Sequence, residues 1–376
     1  MHDHTLEGGS AAAAYTKSEK TYIPVGINGF GRIGRNVFRA SLLRTDVRVV
    51  AINHTCATAE DLLFLFRHDS IHREFAKDVG ASVAVVDDKT LRVGDHEVTL
   101  MSSRDPTQLD WASAGAQYIA ECTGKMKTRA LASGHFTSRG VRNVVISAPS
   151  DDAPTIVYGV NEADYRPSGG TMDVISCASC TTNCVAPVAK VLDQEFGIEE
   201  AFVTTVHAAT QSQSILDGYK SKSKRSGRSV IGNIIPASTG AAKAVAKVVP
   251  SLQGKLSAMA LRVPVADVSV VDLTVHVRTP TSLEVVLDRL RAASRSLPSG
   301  VLGVCEEELV SSDFIGNACS AVIDAPGCSE MNSTFFKILA WYDNEWAYST
   351  RILDLIAYIA GRNEPAVENG QAAIVH

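Results

Sequence analysis

The sequence predicts an α/β fold in two parts: a doubly wound parallel sheet, then an α+β unit whose sheet is mostly antiparallel. Three observations carry this reading. A strand, a glycine-rich turn, a helix and a second strand follow one another between residues 22 and 53. Two further apolar runs, "AQYIAECTG" and "VRNVVISAPS", are linked through a helical stretch around Arg129 to Ser138, as stacked βα units require. Later, "SVVDLTVHV" alternates Val271, Leu273, Val275 and Val277 against Asp272, Thr274 and His276. That is the period of a sheet with one covered face.

Taken in order, the first strand runs from Tyr22 to Ile27 and enters Gly29-Phe30-Gly31-Arg32-Ile33-Gly34. The first glycine permits the tight turn, the second lets backbone approach a pyrophosphate, and the third lets helix and strand pack closely. Unpaired N–H groups at the start of the helix, whose one face carries Ile33, Val37 and Ala40, then suit an anion. With "VRVVAIN" ending at Asn53, this is a Rossmann-type dinucleotide-binding unit.

The stretch "SCASCTTNC" sets Cys177, Cys180 and Cys184 within nine residues. "DVIS" reads as the end of a strand, and Val185, Ala189, Leu192 and Phe196 share a helical face, so Cys180 stands at a helix N-terminus. The helix dipole and free N–H groups there favour a thiolate. A zinc site is disfavoured because no second C-x-x-C supplies the remaining ligands, and no metal site is expected. A redox pair of Cys177 and Cys180 lacks the compact arrangement that goes with it. Cys184, and with it Cys177, reads as a small buried hydrophobe. In "AFVTTVHAATQSQS" His207 closes a short strand and is the candidate base. "FFKILAWYD" is a further strand, and a last helix from near Glu345 puts Ile352, Leu355, Ile356 and Ile359 on one face.

A chain of 376 residues exceeds one ordinary core. We expect an extension over residues 1–20 that is disordered, a dinucleotide-binding domain over 21–178 with 344–376, and a catalytic domain over 179–343. The net charge of −5 gives no field for nucleic acid or an anionic membrane, and no apolar run approaches a membrane span of about 18 residues. Eight irregularly spaced cysteines and no secretory leader place the chain in reducing cytosol.

At this point the chain resembles phosphorylating glyceraldehyde-3-phosphate dehydrogenases, from about residue 22 to 360. The stretches "VGINGFGRIGR", "ASCTTNC", "TTVHA-T", "NIIPASTGAAKAV", "LRVPV-DVSVVDLTV" and "WYDNEWAYS" occur in family order and spacing. The resemblance implies that Cys180 adds to the aldehyde of glyceraldehyde 3-phosphate and that His207 is its base. Hydride then leaves for a nicotinamide, and inorganic phosphate cleaves the thioester. It implies Ser179, Thr181, Thr239 and Gly240 as the site of the attacking phosphate, and Thr210, Ser212 and Arg262 as holders of the substrate's own phosphate. It assigns the cofactor to Asn28, Gly29, Phe30, Gly31, Arg32, Ile33, Gly34, Asn53, His54, Arg104, Thr123, Ser147, Asn344 and Tyr348. Members are usually homotetramers. A related erythrose-4-phosphate dehydrogenase activity, or an RNA-binding or scaffold role on the basic loop, is the alternative.

Three departures stand out. His54 replaces the acid expected at the end of the second strand, where it would bind the ribose 2′-hydroxyl. Tyr219 replaces the family's proline and heads "YKSKSKRSGR", with Lys220, Lys222, Lys224, Arg225 and Arg228. Together these leave NAD and NADP both open. Cys177 replaces an asparagine and Ser212 a threonine, so the chain reads as a specialised paralogue with a modified mouth to its active site.

Overall fold

The structure is a computed structural model that describes residues 22–73, 83–167, 173–220 and 223–363; the expected extension over residues 1–20 lies outside them, as do Lys222 and the last residues of the chain. The first unit is β1 (Ile23–Asn28), α1 (Arg32–Ser41) and β2 (Val47–Asn53), in parallel register from Ile23 opposite Val47 to Asn28 opposite Asn53. After α2 (Ala59–Arg67), the hairpins of β3 (Val83–Asp87), β4 (Thr90–Val93) and β5 (His96–Met101) form an antiparallel edge. Then come β6 (Tyr118–Glu121), α3 (Arg129–Ala132), β7 (Asn143–Ile146) and β8 (Val174–Ser176).

The sheet order is β3-β4-β5-β2-β1-β6-β7-β8, parallel from β5 to β8. It is the doubly wound Rossmann order, whose direction of winding reverses beside β1 and β6. The crevice outside the strand ends at that switch point is where such sheets bind ligands. The helix read over 129–138 is α3 followed by a 3₁₀ turn at Ser133–Thr137, because Ser133 and Gly134 are poor helix formers.

The second sheet follows α4 (Cys180–Phe196). Its elements are β9 (Ile198–His207), β10 (Ile235–Ser238), α5 (Ala241–Val248), β11 (Leu256–Arg262), β12 (Ser269–Val277), α6 (Leu283–Ser296), β13 (Leu302–Cys305), β14 (Ala321–Asp324), β15 (Ser329–Asn332) and β16 (Phe335–Tyr342). The order β10-β11-β9-β12-β16-β14-β13 is mostly antiparallel, with β11·β9 and β13·β14 parallel. The alternation read in "SVVDLTVHV" is β12: Val271, Leu273, Val275 and Val277 are buried, and the residues between are half-buried. The strand before His207 is not short but ten residues long, since both its neighbours pair along nearly its whole length.

Two cores result. Val185, Ala189, Leu192 and Phe196 of α4 are buried against the second sheet with Val203, Val271 and Ile338. The last helix, α7 (Trp346–Asn363), returns to the first sheet, where Ile352, Leu355, Ile356 and Ile359 are buried with Val37 and Phe38 of α1. Truncating Ile356, which is fully buried, to alanine leaves a cavity in that core. Urea unfolding of the Ile356→Ala chain should show a loss of about 2–5 kcal/mol; a loss below about 1 kcal/mol would contradict this placement of α7.

Candidate active site

β8 ends at Ser176, and four residues later α4 begins with Cys180. The link is tightly specified. Ala178 takes a left-handed φ of 58°, and its N–H donates to Ser176 Oγ at 3.0 Å. Its carbonyl accepts from Tyr348 Oη at 2.9 Å. Asn183 Nδ2 donates to the carbonyls of Cys177 and Ser179, and Ser179 caps the helix by accepting from the Thr182 N–H at 3.1 Å. A strained alanine persists only where its surroundings over-determine it. Here they fix the direction of the next side chain but one.

That side chain, the half-buried Cys180, places Sγ 3.5 Å from His207 Nε2. Nδ1 of His207 lies 2.8 Å from the Ala208 carbonyl; in the tautomer that donates there Nε2 offers its lone pair to the thiol, whereas a guanidinium donor at Nδ1 favours the other tautomer. Arg262, opposite His207 in the β11·β9 register, sets a guanidinium Nη1 2.6 Å from Nδ1, and Tyr342 packs edge-on against the imidazole. Burial, then Arg262, holds the imidazole down at about 4, so it is neutral at physiological pH. Burial also pushes the thiol up, against the opposing pull of Arg262 and the Thr181 and Cys180 N–H groups. Desolvation thus opposes the thiolate that the helix terminus and Arg262 favour, and His207 stands within reach of the thiol proton.

Cys180 and His207 open onto a cavity of about 1250 Å³ that runs to the switch point of the first sheet. Its walls include Asn28, Gly29, Phe30, Gly31, Arg32, Ile33, Asn53, His54, Arg104, Thr123, Ser147, Ser179, Thr210, Ser212, Arg262, Asn344 and Tyr348, all singled out by sequence. Gly34 lies behind the wall, where a Cβ would stand 1.9 Å from the Gly29 carbonyl oxygen. A Cβ at Gly31 would meet nothing within 4 Å, and α1 starts there with no side-chain cap and no acid in its first turn. Its orphan N–H groups face open space, which fits the pyrophosphate of a dinucleotide.

Several side chains have other work to do. Asn28 Nδ2 donates to Glu121, and Asn28 Oδ1 accepts from Asn53 Nδ2 at 2.7 Å. Asn53 also pairs with both backbone groups of Ser103. Arg32 is held by Asp69 and Glu345. His54 is buried, its Nδ1 accepts from the Cys56 N–H at 3.1 Å, and desolvation lowers its pKa. Asn344 accepts at Oδ1 from Ser269 Oγ at 2.6 Å, which leaves its amide N–H₂ to donate into the cavity.

Three sequence assignments are not met. Thr181, one helical step past Cys180, turns into the core: it is buried, and its Oγ1 lies 3.0 Å from Tyr342 Oη. Thr239 and Gly240 are not in the cavity wall; Thr239 Oγ1 accepts from the Ala241 N–H at the start of α5. Cys177 is fully buried in the first core and is not in the cavity wall. Sequence reading missed Arg35, Cys122, Lys125, Lys127 and Gln211 in the wall. The basic pair in "TGKMKT", following a strand at the switch point, was the available signal for the two lysines.

A doubly wound nucleotide fold joined to a sheet that aims a cysteine and a histidine into the same cleft defines a dinucleotide-dependent oxidoreductase with a thiol nucleophile. The chain belongs to the glyceraldehyde-3-phosphate dehydrogenase family. The NAD binding domain of that family matches residues 23–129 and its C-terminal domain residues 179–344. A cytosolic glyceraldehyde-3-phosphate dehydrogenase of Dianthus caryophyllus is 47% identical over 90% of this chain and 98% of its own. One of Gracilaria gracilis, also called cytosolic, is 49% identical over 89% and 98%. A chloroplastic one of Arabidopsis thaliana is 48% identical over 89% and 78%. Because His207 is, among the described residues, the group drawn up as a base for the thiol, His207→Asn should slow alkylation of Cys180 by iodoacetamide at about pH 7 at least about tenfold, mapped by peptide mass. Equal rates would contradict the pairing.

Proposed function

We infer that the chain oxidises glyceraldehyde 3-phosphate to 1,3-bisphosphoglycerate with NAD and inorganic phosphate. The observation that carries this is the 3.5 Å approach of Cys180 to His207 at the nicotinamide end of a dinucleotide cleft. NAD would lie along the Gly29–Gly34 turn, with the Asn344 amide at its nicotinamide; when bound it supplies the hydride acceptor. Cys180 Sγ bonds to the aldehyde carbon while His207 Nε2 takes the thiol proton and passes it to the carbonyl oxygen. As hydride leaves that carbon, His207 Nε2 takes back the hydroxyl proton, and a thioester remains on Cys180. Phosphate oxygen then bonds to the carbon, the C–S bond breaks, and the sulfur recovers the proton from His207. Arg262 and Thr210 bind the substrate's phosphate, the guanidinium as a bidentate fork. Ser179 serves the attacking phosphate; the placement of Thr181, Thr239 and Gly240 weighs against their sharing that work in this arrangement.

Residues 21–178 with 344–376 form the nucleotide domain in this reading and 179–343 the catalytic one, supported by α7 sharing a core with α1. A homotetramer is favoured by the apolar side chains that one chain leaves exposed at Ile215, Leu216, Tyr219, Ile231 and Ile234. Eight free thiols favour a reducing compartment, which we take to be the cytosol. Among the described residues no helix is long and apolar enough to cross a membrane. Within the basic loop, Arg228 pairs with Asp217 and Lys220 donates to the Ser212 carbonyl, so a nucleic-acid or scaffold role is secondary.

Cys180→Ser should lower acyl-phosphate formation by at least about 10⁴-fold, with NAD binding within about twofold of the parent. Turnover of erythrose 4-phosphate exceeding that of glyceraldehyde 3-phosphate and independent of added phosphate would instead favour the related activity. NADP is a second acceptor in this reading, because a neutral His54 does not repel a 2′-phosphate as a carboxylate does. His54→Asp should raise the NAD over NADP ratio of kcat/KM by about tenfold or more; an unchanged ratio would remove His54 from cofactor choice.

A further inference from the structure

Behind Asn344 lies a buried set of charges that the reaction does not use. Asp267 is 1% exposed, and neither of its carboxylate oxygens has a hydrogen-bond partner. From the loop after α2, His72 Nε2 reaches within 3.6 Å of Asp267 Oδ2 and 3.2 Å of Glu345 Oε2, with its ring against Trp346. From the turn between β16 and α7, Asp343 and Glu345 face Asp267 as well. Asp343 accepts from the N–H groups of Gly316, Glu345 and Trp346, and Glu345 accepts from both Arg32 and Asn36. Asp69, which accepts from the His72 N–H at 3.0 Å, pairs with Arg32, and Arg35 stands beyond.

These groups bracket the amide already assigned to the nicotinamide. Glu345 follows Asn344 directly. Asp267 precedes Val268, a β-branched residue held at a φ of 64°, and then Ser269, whose hydroxyl fixes Asn344 Oδ1. The same hydroxyl accepts from the Ala208 N–H beside His207 at 3.0 Å. We propose that His72 and Asp267 are positioning residues for the reaction, holding the Asn344 amide toward the cofactor through Glu345 on one side and Ser269 on the other. The proposal rests on the reading of Asn344 given above. A buried carboxylate set among other carboxylates is costly to ionise: burial, then Asp343 and Glu345, push the Asp267 carboxyl up to about 9, against the pull of the Val268 N–H. Once ionised, it would repel Asp343 and Glu345, and Ser269 and Asn344 would be drawn apart.

The test measures KM and kcat for NAD from about pH 6 to about pH 10 on the full chain and on His72→Ala, His72→Gln, Asp267→Asn and Asn344→Ala, with urea unfolding in parallel. In the parent, KM for NAD should climb several-fold as pH passes about 9, and Asp267→Asn, which cannot ionise, should stay flat. His72→Ala should raise KM about fivefold or more with a smaller change in kcat, and His72→Gln, which can still donate to Glu345, should restore most of it. The stability sign is fixed. Between its ordinary range and about 9, Asp267 binds a proton in the folded chain and not in the unfolded one. The parent should therefore lose stability relative to Asp267→Asn by up to about tenfold in the folding constant per pH unit as pH rises.

An alkaline rise in KM that persists in Asp267→Asn overturns the proposal, as does a His72→Ala chain that loses stability while its KM is unchanged. If His72→Ala does not fold, the pH profile of Asp267→Asn and the KM of His72→Gln decide by the same criteria. Ligand atoms of His72, Asp267 and Asp343 lie within 4.8 Å of one another, so manganese and zinc are titrated too. Stabilisation of the parent but not of Asp267→Asn by equimolar metal would assign the cluster to a cation instead. If Asn344→Ala leaves KM unchanged, the reading of Asn344 falls and this one with it; if only the His72 and Asp267 variants are silent, this one falls alone.

Discussion

The contact on which the molecule depends is the one between a thiol on the first turn of α4 and an imidazole at the end of β9. It joins residues 27 positions apart, and each is placed by a different structural device. The left-handed Ala178 and the amide of Asn183 turn the chain out of β8 so that Cys180 opens a helix. A strand paired on both sides up to Val206 carries His207, itself opposite Arg262, to the same point. A site built this way tolerates little slack, since proton transfer needs donor and acceptor within hydrogen-bond reach.

Electrostatics sets how that contact is used. Burial raises the thiol and lowers the imidazole, so both groups resist carrying charge in the folded chain. Arg262 serves both groups: it favours an anion at sulfur and disfavours a cation at His207. The hydrogen-bonded chain from Ala208 through Ser269 to Asn344 ties the neighbour of the base to the amide at the cofactor. One hydroxyl thus links the neighbour of the base to the amide proposed to orient the nicotinamide.

What the sequence could reveal was mostly local. The glycine turn, the helix opened by Cys180 and the alternation of β12 are signals carried by neighbouring residues, and each stands where its spacing put it. The partner of Thr181 was not legible because motif adjacency does not report direction: one step along a helix swings a side chain by about 100°, which here sets its hydroxyl against Tyr342. Asn28, Asn53 and Arg32 were legible as wall residues, but their mutual pairing was not. Those partners lie tens to hundreds of positions away. The same holds for Asp267, whose isolation is a property of packing and leaves no trace in the letters around it. At Cys180 the helix terminus can be read from sequence, while the desolvation that opposes it can be read only from the fold.

The most direct measurement is the intact mass of the protein mixed with glyceraldehyde 3-phosphate and NAD without inorganic phosphate, followed by peptide mapping. The account predicts one acyl group per chain, on Cys180, that disappears when phosphate is added. An acyl group on another residue, or none while NADH is still formed, would contradict it.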